Sequence, residues 1–483
     1  MENNEKKKSP GITTGNEPID LDGFSDNAIV RIHLRGETQQ TNGKMVEMTV
    51  GKLRKLLDEK FILSRNNTLF LKHEVKLGVI AQWCKYFYEY RKSVKKEMGK
   101  VSKQIYEKKY ANEEEKKQLE DKVKSLHDLQ LSVKLQLNSV YGILGTPYSA
   151  IYNPDIAQSI TRNGKFCNIN SSKFITKRFK EMFGTTDEYP ALCGGDTDSL
   201  FVNVKCFSDD MKAKNPSLPE QLMKWDDKSK FELWEKVSNF VDNEVVPFVQ
   251  NLVREKCHTN HPEMLRYGLE YIADTAFYEK QKHYAVHKMI GEGPELVDKI
   301  SFMGIELKKA TQPIKVKEFL AEIYTKTMTD DSWNETKFKE LITICYNKFK
   351  KLGVDDIASW KGYKSARESE GFLEMALGAT GISKGCTYYN QMLDKLGIGK
   401  KYDKINLGDK VRFTYINPNN QYKINCMAFP ASTGWPAEFN GIFVPDYNKM
   451  FEGVMSAIKS YMEAIGFRKI DPRKTDMQNL DDL

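Results

Sequence analysis

The sequence predicts an α+β fold, and three observations carry that prediction. With 483 residues, 40% of them hydrophobic and 29% charged, the chain can bury a large core and should divide into about three domains. From about residue 74 to residue 140, glycine and proline are almost absent and charge is dense, the pattern of long helices. Elsewhere, short apolar runs bracketed by Gly, Asn and Asp alternate with helical stretches, as in a sheet with helices packed on it.

Taken in order, residues 1 to about 27 are polar and hold Ser9-Pro10-Gly11 and Gly15-Asn16-Glu17-Pro18, so a flexible arm is expected. Ile29 to Leu34 alternates like a strand, and Val50 to Lys60 reads as a short helix. Phe61 to Lys72 sets Asn66-Asn67 between two apolar runs, a hairpin signal. The charged stretch should then form two long antiparallel helices, with Glu113-Glu114-Glu115 at the turn between them. Lys85 to Lys134 contains 14 Lys and Arg against 9 Asp and Glu, so +5 of the chain's formal net charge of +8 falls on this hairpin. Asn153-Pro154-Asp155 places an N-cap before a proline at the first helical position, and Gly184 closes that helix. Tyr189 to Cys193 and Ser199 to Val204 flank Gly194-Gly195-Asp196-Thr197-Asp198 and read as a β-hairpin with acidic residues at its tip. Beyond it, helices are expected over residues 229–256, 315–328 and 333–352 and strands over 284–288 and 300–303. The result is a sheet followed by a more helical C-terminal region.

Composition excludes several classes. The excess of 74 Lys and Arg over 66 Asp and Glu admits a polyanion partner without requiring one. No apolar run reaches the roughly 18 residues of a membrane span, and the polar start Met1 to Lys8 is no signal peptide. Eight scattered cysteines without a Cys-x-x-Cys fit a reducing cytoplasm. Cys257, His258 and His261 form a partial metal-ligand set with no second ligand pair, better read as surface chemistry.

Two constellations carry chemistry. In Lys134-Leu135-Gln136-Leu137-Asn138-Ser139-Val140-Tyr141-Gly142, helical geometry brings Lys134, Asn138 and Tyr141 within about 60° of arc. Such a face offers a cation for phosphate, an amide, and a ring on which a base can stack, with Gly142 leaving room beside it. Arg91 and Lys95, at i,i+4 on the preceding helix beside Lys92 and Lys96, could meet Lys134 around one triphosphate. A solvated basic face is the plain alternative. In Gly195-Asp196-Thr197-Asp198-Ser199, aspartates two apart on a strand end project from the same face, a repulsive arrangement that a hard cation such as magnesium relieves. An isolated Asp-x-Asp is also common in turns.

Together these motifs resemble the family B DNA polymerases, in particular the replicative polymerases of T-even-like bacteriophages. The Lys-x-x-x-Asn-Ser-x-Tyr-Gly helix is similar to that family's fingers signature and Gly-Asp-Thr-Asp-Ser to its palm hairpin. Tyr90-Arg91-Lys92 with Lys95, Lys282-His283-Tyr284-Ala285 and Met303-Gly304-Ile305-Glu306 extend the resemblance, which runs from about residue 60 to the end. It implies a right-hand polymerase fold with a palm sheet, long antiparallel helical fingers and a mostly helical thumb. The implied domains are an arm at 1–27, a palm-side segment at 28–72, fingers at 73–146, palm at 147–304, thumb at 305–475 and a tail at 476–483. It further implies that Arg91, Lys95, Lys134 and Asn138 hold an incoming deoxynucleoside triphosphate, and that Tyr141 and Gly142 line the nascent base pair. Asp196 and Asp198 would be catalytic ligands of two Mg2+ ions, with Glu270 as an accessory carboxylate. Lys282 and Tyr284 would steady the primer end, and Lys308, Lys309 and Lys384 would meet the backbone of primer-template DNA.

The sequence departs from the family at one place. No strand reading Asp-x-x-Ser-Leu-Tyr-Pro-Ser precedes the fingers, since Asp20-Leu21-Asp22 and Asp155 have the wrong neighbours, and the N-terminal exonuclease motifs are absent. Phosphoryl transfer depends on placed metals, so losing a bridging carboxylate should remove most of the rate. The expectation is therefore the C-terminal part of a split DNA-directed DNA polymerase, completed by a second polypeptide that carries the exonuclease and the missing palm motif. A non-catalytic DNA-binding remnant, or a fragment of one longer chain, are the competing readings; Met1 and the polar arm weigh against the fragment. Gln478, Leu480 and Leu483 have the spacing of a tail that holds a sliding clamp, without the usual aromatic anchors. Location in the cytoplasm, that of the host if the source is viral, is expected.

Overall fold

The computed structural model of the chain describes residues 18–33, 45–186, 190–196, 198–291, 295–330, 332–365, 369–375 and 378–467. It divides into two compact units, Met1–Lys214 with Glu235–Gly268, and Asn215–Trp234 with Leu269–Leu483. Helix and sheet are mixed in both, as an α+β reading requires.

In the first unit, β1 (Ile29–His33) and β2 (Met45–Thr49) pair antiparallel, and Thr49 caps α1 (Val50–Glu59) by accepting from the Lys52 N–H at 3.2 Å. The hairpin of β3 (Phe61–Leu63) and β4 (Leu69–Leu71) turns through Asn67, whose φ of 63° is one that Asn tolerates well. Residues 18–27 correct the expected flexible arm. Leu21 is buried with Val50, Leu53, Leu57 and Leu63, and Lys256 holds Asp22 at 2.7 Å and Asp20 at 3.3 Å. The polar composition of the whole stretch concealed one apolar anchor that finds the inner face of α1.

The two long helices are α2 (Val79–Tyr106) and α3 (Glu113–Gly145), packed on a seam that includes Val94, Val101 and Val133. Glu113–Glu115 are not the turn but the first turn of α3. Asn112 caps them by accepting from the Glu115 N–H at 2.8 Å, and carboxylates there meet the positive end of the helix dipole. Helix α4 (Pro154–Phe183) begins at Asn153 and ends at left-handed Gly184, as the capping pattern predicts. Next come β5 (Leu192–Asp196), β6 (Ser199–Val202) and α5 (Lys205–Lys214). The expected single helix over 229–256 is two, α6 (Asp227–Phe240) and α7 (Val246–Cys257), separated by a π-helical turn at Val241–Val245. Pro247 explains the break, because it has no N–H to donate to the preceding turn.

The second unit begins its sheet with β7 (Ile272–Lys280), which the sequence did not signal, antiparallel to β8 (His283–Gly291), itself paired to β9 (Glu295–Met303). Helices α8 (Ile314–Met328) and α9 (Glu335–Phe349) follow, then short α10 (Val354–Ile357), strands β10 (Ser359–Gly362), β11 (Ser369–Gly371) and β12 (Glu374–Met375), α11 (Gly381–Lys395), β13 (Lys410–Tyr415), β14 (Cys426–Pro430) and α12 (Tyr447–Ala464). One core joins α8, α9 and α12 through Ile323, Phe338, Ile342, Phe451 and Ile458. Another packs α11 on the β10-β13-β14 sheet through Tyr389, Leu393, Val411 and Phe429. The expected mostly helical region from 305 to 475 is therefore mixed. Its strands are two to six residues long, too short for an alternating pattern to distinguish them from pieces of helix or loop. Among the described residues, no helix is long and apolar enough to cross a membrane.

Candidate functional site

Two hydrogen bonds set the register of the α2–α3 hairpin at its cationic face. The Arg91 Nε and Nη2 atoms donate to Gln130 Oε1 at 3.2 and 3.1 Å, and Lys122 pairs with Glu97 at 2.8 Å further along. Arg91 is thus level with Gln130. Because the helices run antiparallel, Lys134 lies about 6 Å along the axis to one side of that level and Lys95 about 6 Å to the other. The three cations form a ladder with Arg91 as its central rung, rather than a single cluster at Lys134. Lys134 and Asn138 are exposed, with no hydrogen-bond or ion-pair partner among the described residues. The Tyr141 ring is 45% exposed. A Cβ built at Gly142 meets nothing within 4 Å, so packing inside the protein does not demand glycine there.

The β5–β6 hairpin is tighter than the sequence suggested. Gly194, Gly195 and Asp196 belong to β5, Asp196 pairs with Ser199, and the loop is reduced to two residues. Only Asp196 is a strand residue. Asp198 stands exposed in the turn, so strand alternation does not place both carboxylates. A Cβ on Gly195 would lie 3.0 Å from the Ser199 carbonyl oxygen, a close approach that favours glycine. From α4, the Asn168 Nδ2 group donates to the carbonyls of Asp196 and Ser199, both at 3.3 Å, and Tyr267 donates its O–H to Asn168 Oδ1 at 2.6 Å. Burial pushes the Tyr267 phenol up to about 12, and the neighbouring Asp198 carboxylate adds to the shift.

Glu270 lies in the second unit, beside Lys288, whose ammonium sits 3.8 Å from the centroid of the Tyr271 ring. Burial lowers the Lys288 pKa, and Glu270 opposes that shift. In the same unit Lys282 occupies the β7–β8 turn with φ 63°, and Tyr284, the second residue of β8, pairs with Tyr278. A Cβ on Gly304 would collide with the Lys282 carbonyl, so the glycine after β9 and the Lys-x-Tyr turn fit against each other. Lys309 is ion-paired to Glu306, Lys308 is exposed, and Lys384 is half-buried near the Cys426 thiol. The tail residues Gln478, Leu480 and Leu483 lie outside the described residues. Of the carboxylates set aside in the sequence, Asp20 and Asp22 hold Lys256, and Asp155 sits in the first turn of α4. His261 stands between Glu74 at 3.2 Å and Glu263 at 3.0 Å.

Oxygen donors at Asp196 and Asp198 suit a hard cation such as Mg2+. Among the described residues, no group of three His, Cys, Asp or Glu could hold a metal ion. Sequence reasoning missed Gln130, Asn168 and Tyr267. Gln130 lies one turn before Lys134, and Asn168 adjoins the buried Cys167–Ser171 stripe of α4, but nothing in the sequence marks Tyr267.

The stretch that holds both constellations, residues 34–215, matches DNA polymerase family B. The family resemblance read from the motifs is thereby borne out. Phage DNA polymerases are among the proteins the chain is similar to. The chain is 23% identical over 352 residues to the DNA-directed DNA polymerase of Enterobacteria phage T4, covering 67% of this chain and 35% of that protein. It is 26% identical over 204 residues to the DNA-directed DNA polymerase of Escherichia phage RB69, covering 40% of this chain and 21% of the relative. It is 32% identical over 148 residues to the DNA polymerase catalytic subunit of Human herpesvirus 7 (strain JI), covering 28% and 13%. The matches thus span about a third or less of the length of these relatives.

Proposed function

We propose that this chain supplies the fingers, most of the palm and the thumb of a DNA-directed DNA polymerase, which adds deoxynucleotides to a primer 3′ end. The observation that carries the reading is the Arg91–Lys134 cation ladder and the Asp196–Asp198 hairpin falling within one segment that matches family B. In this reading Lys134, Arg91 and Lys95 bind the triphosphate, Asn138 assists, and Tyr141 lines the base pair, with the open space at Gly142 left for it. Asp196 and Asp198 would hold Mg2+, which neutralises charge on the transferring phosphate. Lys282 and Tyr284 steady the primer, while Lys308, Lys309 and Lys384 contact backbone phosphates without reading sequence. Glu270, beside Lys288, acts as an accessory carboxylate.

Two carboxylates leave the metal set incomplete, and the 483 residues contain no Asp-x-x-Ser-Leu-Tyr-Pro-Ser strand. In this reading the missing carboxylate is supplied from beyond these residues, by a second polypeptide that also carries the exonuclease, and the assembly works in the host cytoplasm. Primer extension by the purified chain, alone and with the product of a neighbouring exonuclease-bearing gene, tests this. Activity only from the pair is the expected result, and equal activity from the chain alone overturns the split. A remnant that merely binds DNA would extend nothing in either case.

A further inference from the structure

We propose that Asn168 and Tyr267 are positioning residues that hold the Asp196–Ser199 turn in the shape that binds a divalent cation. The inference rests on the reading of Asp196 and Asp198 as metal ligands. Two carboxylates so close in sequence repel each other, and a two-residue loop has little backbone of its own to resist that repulsion. Asn168 bridges the loop from outside, because its one amide nitrogen reaches the carbonyls at both ends, on Asp196 and on Ser199. Both partners are pure acceptors, so the NH2 group must face them and the amide oxygen must face Tyr267. The short bond from the Tyr267 hydroxyl then fixes the amide's orientation. Ser199 Oγ adds a bond to the Asp196 carbonyl at 3.3 Å, and close packing at Gly195 leaves the strand ends little room to shift. Neither Asn168 nor Tyr267 belongs to the motifs that mark the site in the sequence.

The test is a titration of the full chain with Mn2+, read by water-proton relaxation without nucleotide or DNA, beside thermal unfolding of each variant. Asn168→Ala should weaken Mn2+ binding about tenfold and Tyr267→Phe about threefold, without a matching loss in melting temperature. The double variant should bind no more weakly than Asn168→Ala alone, since Tyr267 acts through Asn168. Asp198→Ala is the control for the underlying reading, which fails if that variant binds Mn2+ as the wild type does. If Asp198→Ala loses binding while Asn168→Ala and Tyr267→Phe keep wild-type affinity, the brace alone is overturned. Should Asn168→Ala not fold, Tyr267→Phe decides, since it removes a single hydroxyl: wild-type affinity refutes the brace and a threefold loss supports it.

Discussion

At Gly304 the absence of one methyl group decides where Lys282 can stand. Any side chain there would collide with the Lys282 carbonyl, and φ of 62° already disfavours L residues. Gly304→Ala should destabilise the chain by about 1–3 kcal/mol, read by urea unfolding, and, on the proposed polymerase reading, should raise the KM for primer-template. The Lys-x-Tyr motif was legible in the sequence, but the glycine that shapes its turn was not, because the two meet only when β8 and β9 close the sheet. A second residue-scale prediction concerns Glu438, which accepts from Lys401 at 2.6 Å and from the Tyr402 hydroxyl at 2.8 Å. These bonds hold its pKa down from 4.5 to about 2. A depressed folded-state value means that the bonds contribute stability above the unfolded pKa of 4.5 and lose it as pH falls toward 2. Wild type and Glu438→Gln should therefore differ in urea midpoint at about pH 6, differ less at about pH 3 and converge only at about pH 2 and below, with added salt narrowing the gap.

The α2–α3 hairpin is the element that was most legible. Its length, scarcity of glycine, lack of proline, and charge announced two helices, and only the turn was misplaced, because acidic residues serve a helix start as well as a loop. Asn112→Ala should destabilise the first turn of α3 by about 1 kcal/mol, seen as faster amide exchange there. What the sequence could not show was the register, which depends on Gln130 meeting Arg91. Gln130→Ala releases the central rung of the ladder and leaves a guanidinium without its partner. It should raise the KM for deoxynucleotide about tenfold with a smaller change in kcat, measured by single-nucleotide incorporation. The strands after residue 355 were least legible. Gly385 approaches the β14 backbone so closely that an added Cβ would lie 2.9 Å from the Ala428 nitrogen, a dependence between distant segments that no local pattern encodes.

For the molecule as a whole, net charge and length admitted a polyanion partner but named none, and the motifs supplied the rest. The α+β class and both constellations could be read directly, whereas β7 and the strands after residue 305 gave no clear local signal, and β10 meets β13 only through a pairing some fifty residues apart in sequence. If the tail holds a clamp, deleting residues 477–483 should lower processivity with the clamp present and leave it unchanged without. The central claim is that this chain brings its own metal-binding aspartates to a shared polymerase site. Single-nucleotide incorporation by the reconstituted pair, with the wild-type chain and with Asp196→Ala plus Asp198→Ala, tests it most directly. Loss of at least about a thousandfold in rate with DNA binding retained is the predicted result. Unchanged incorporation by the double variant would contradict the account.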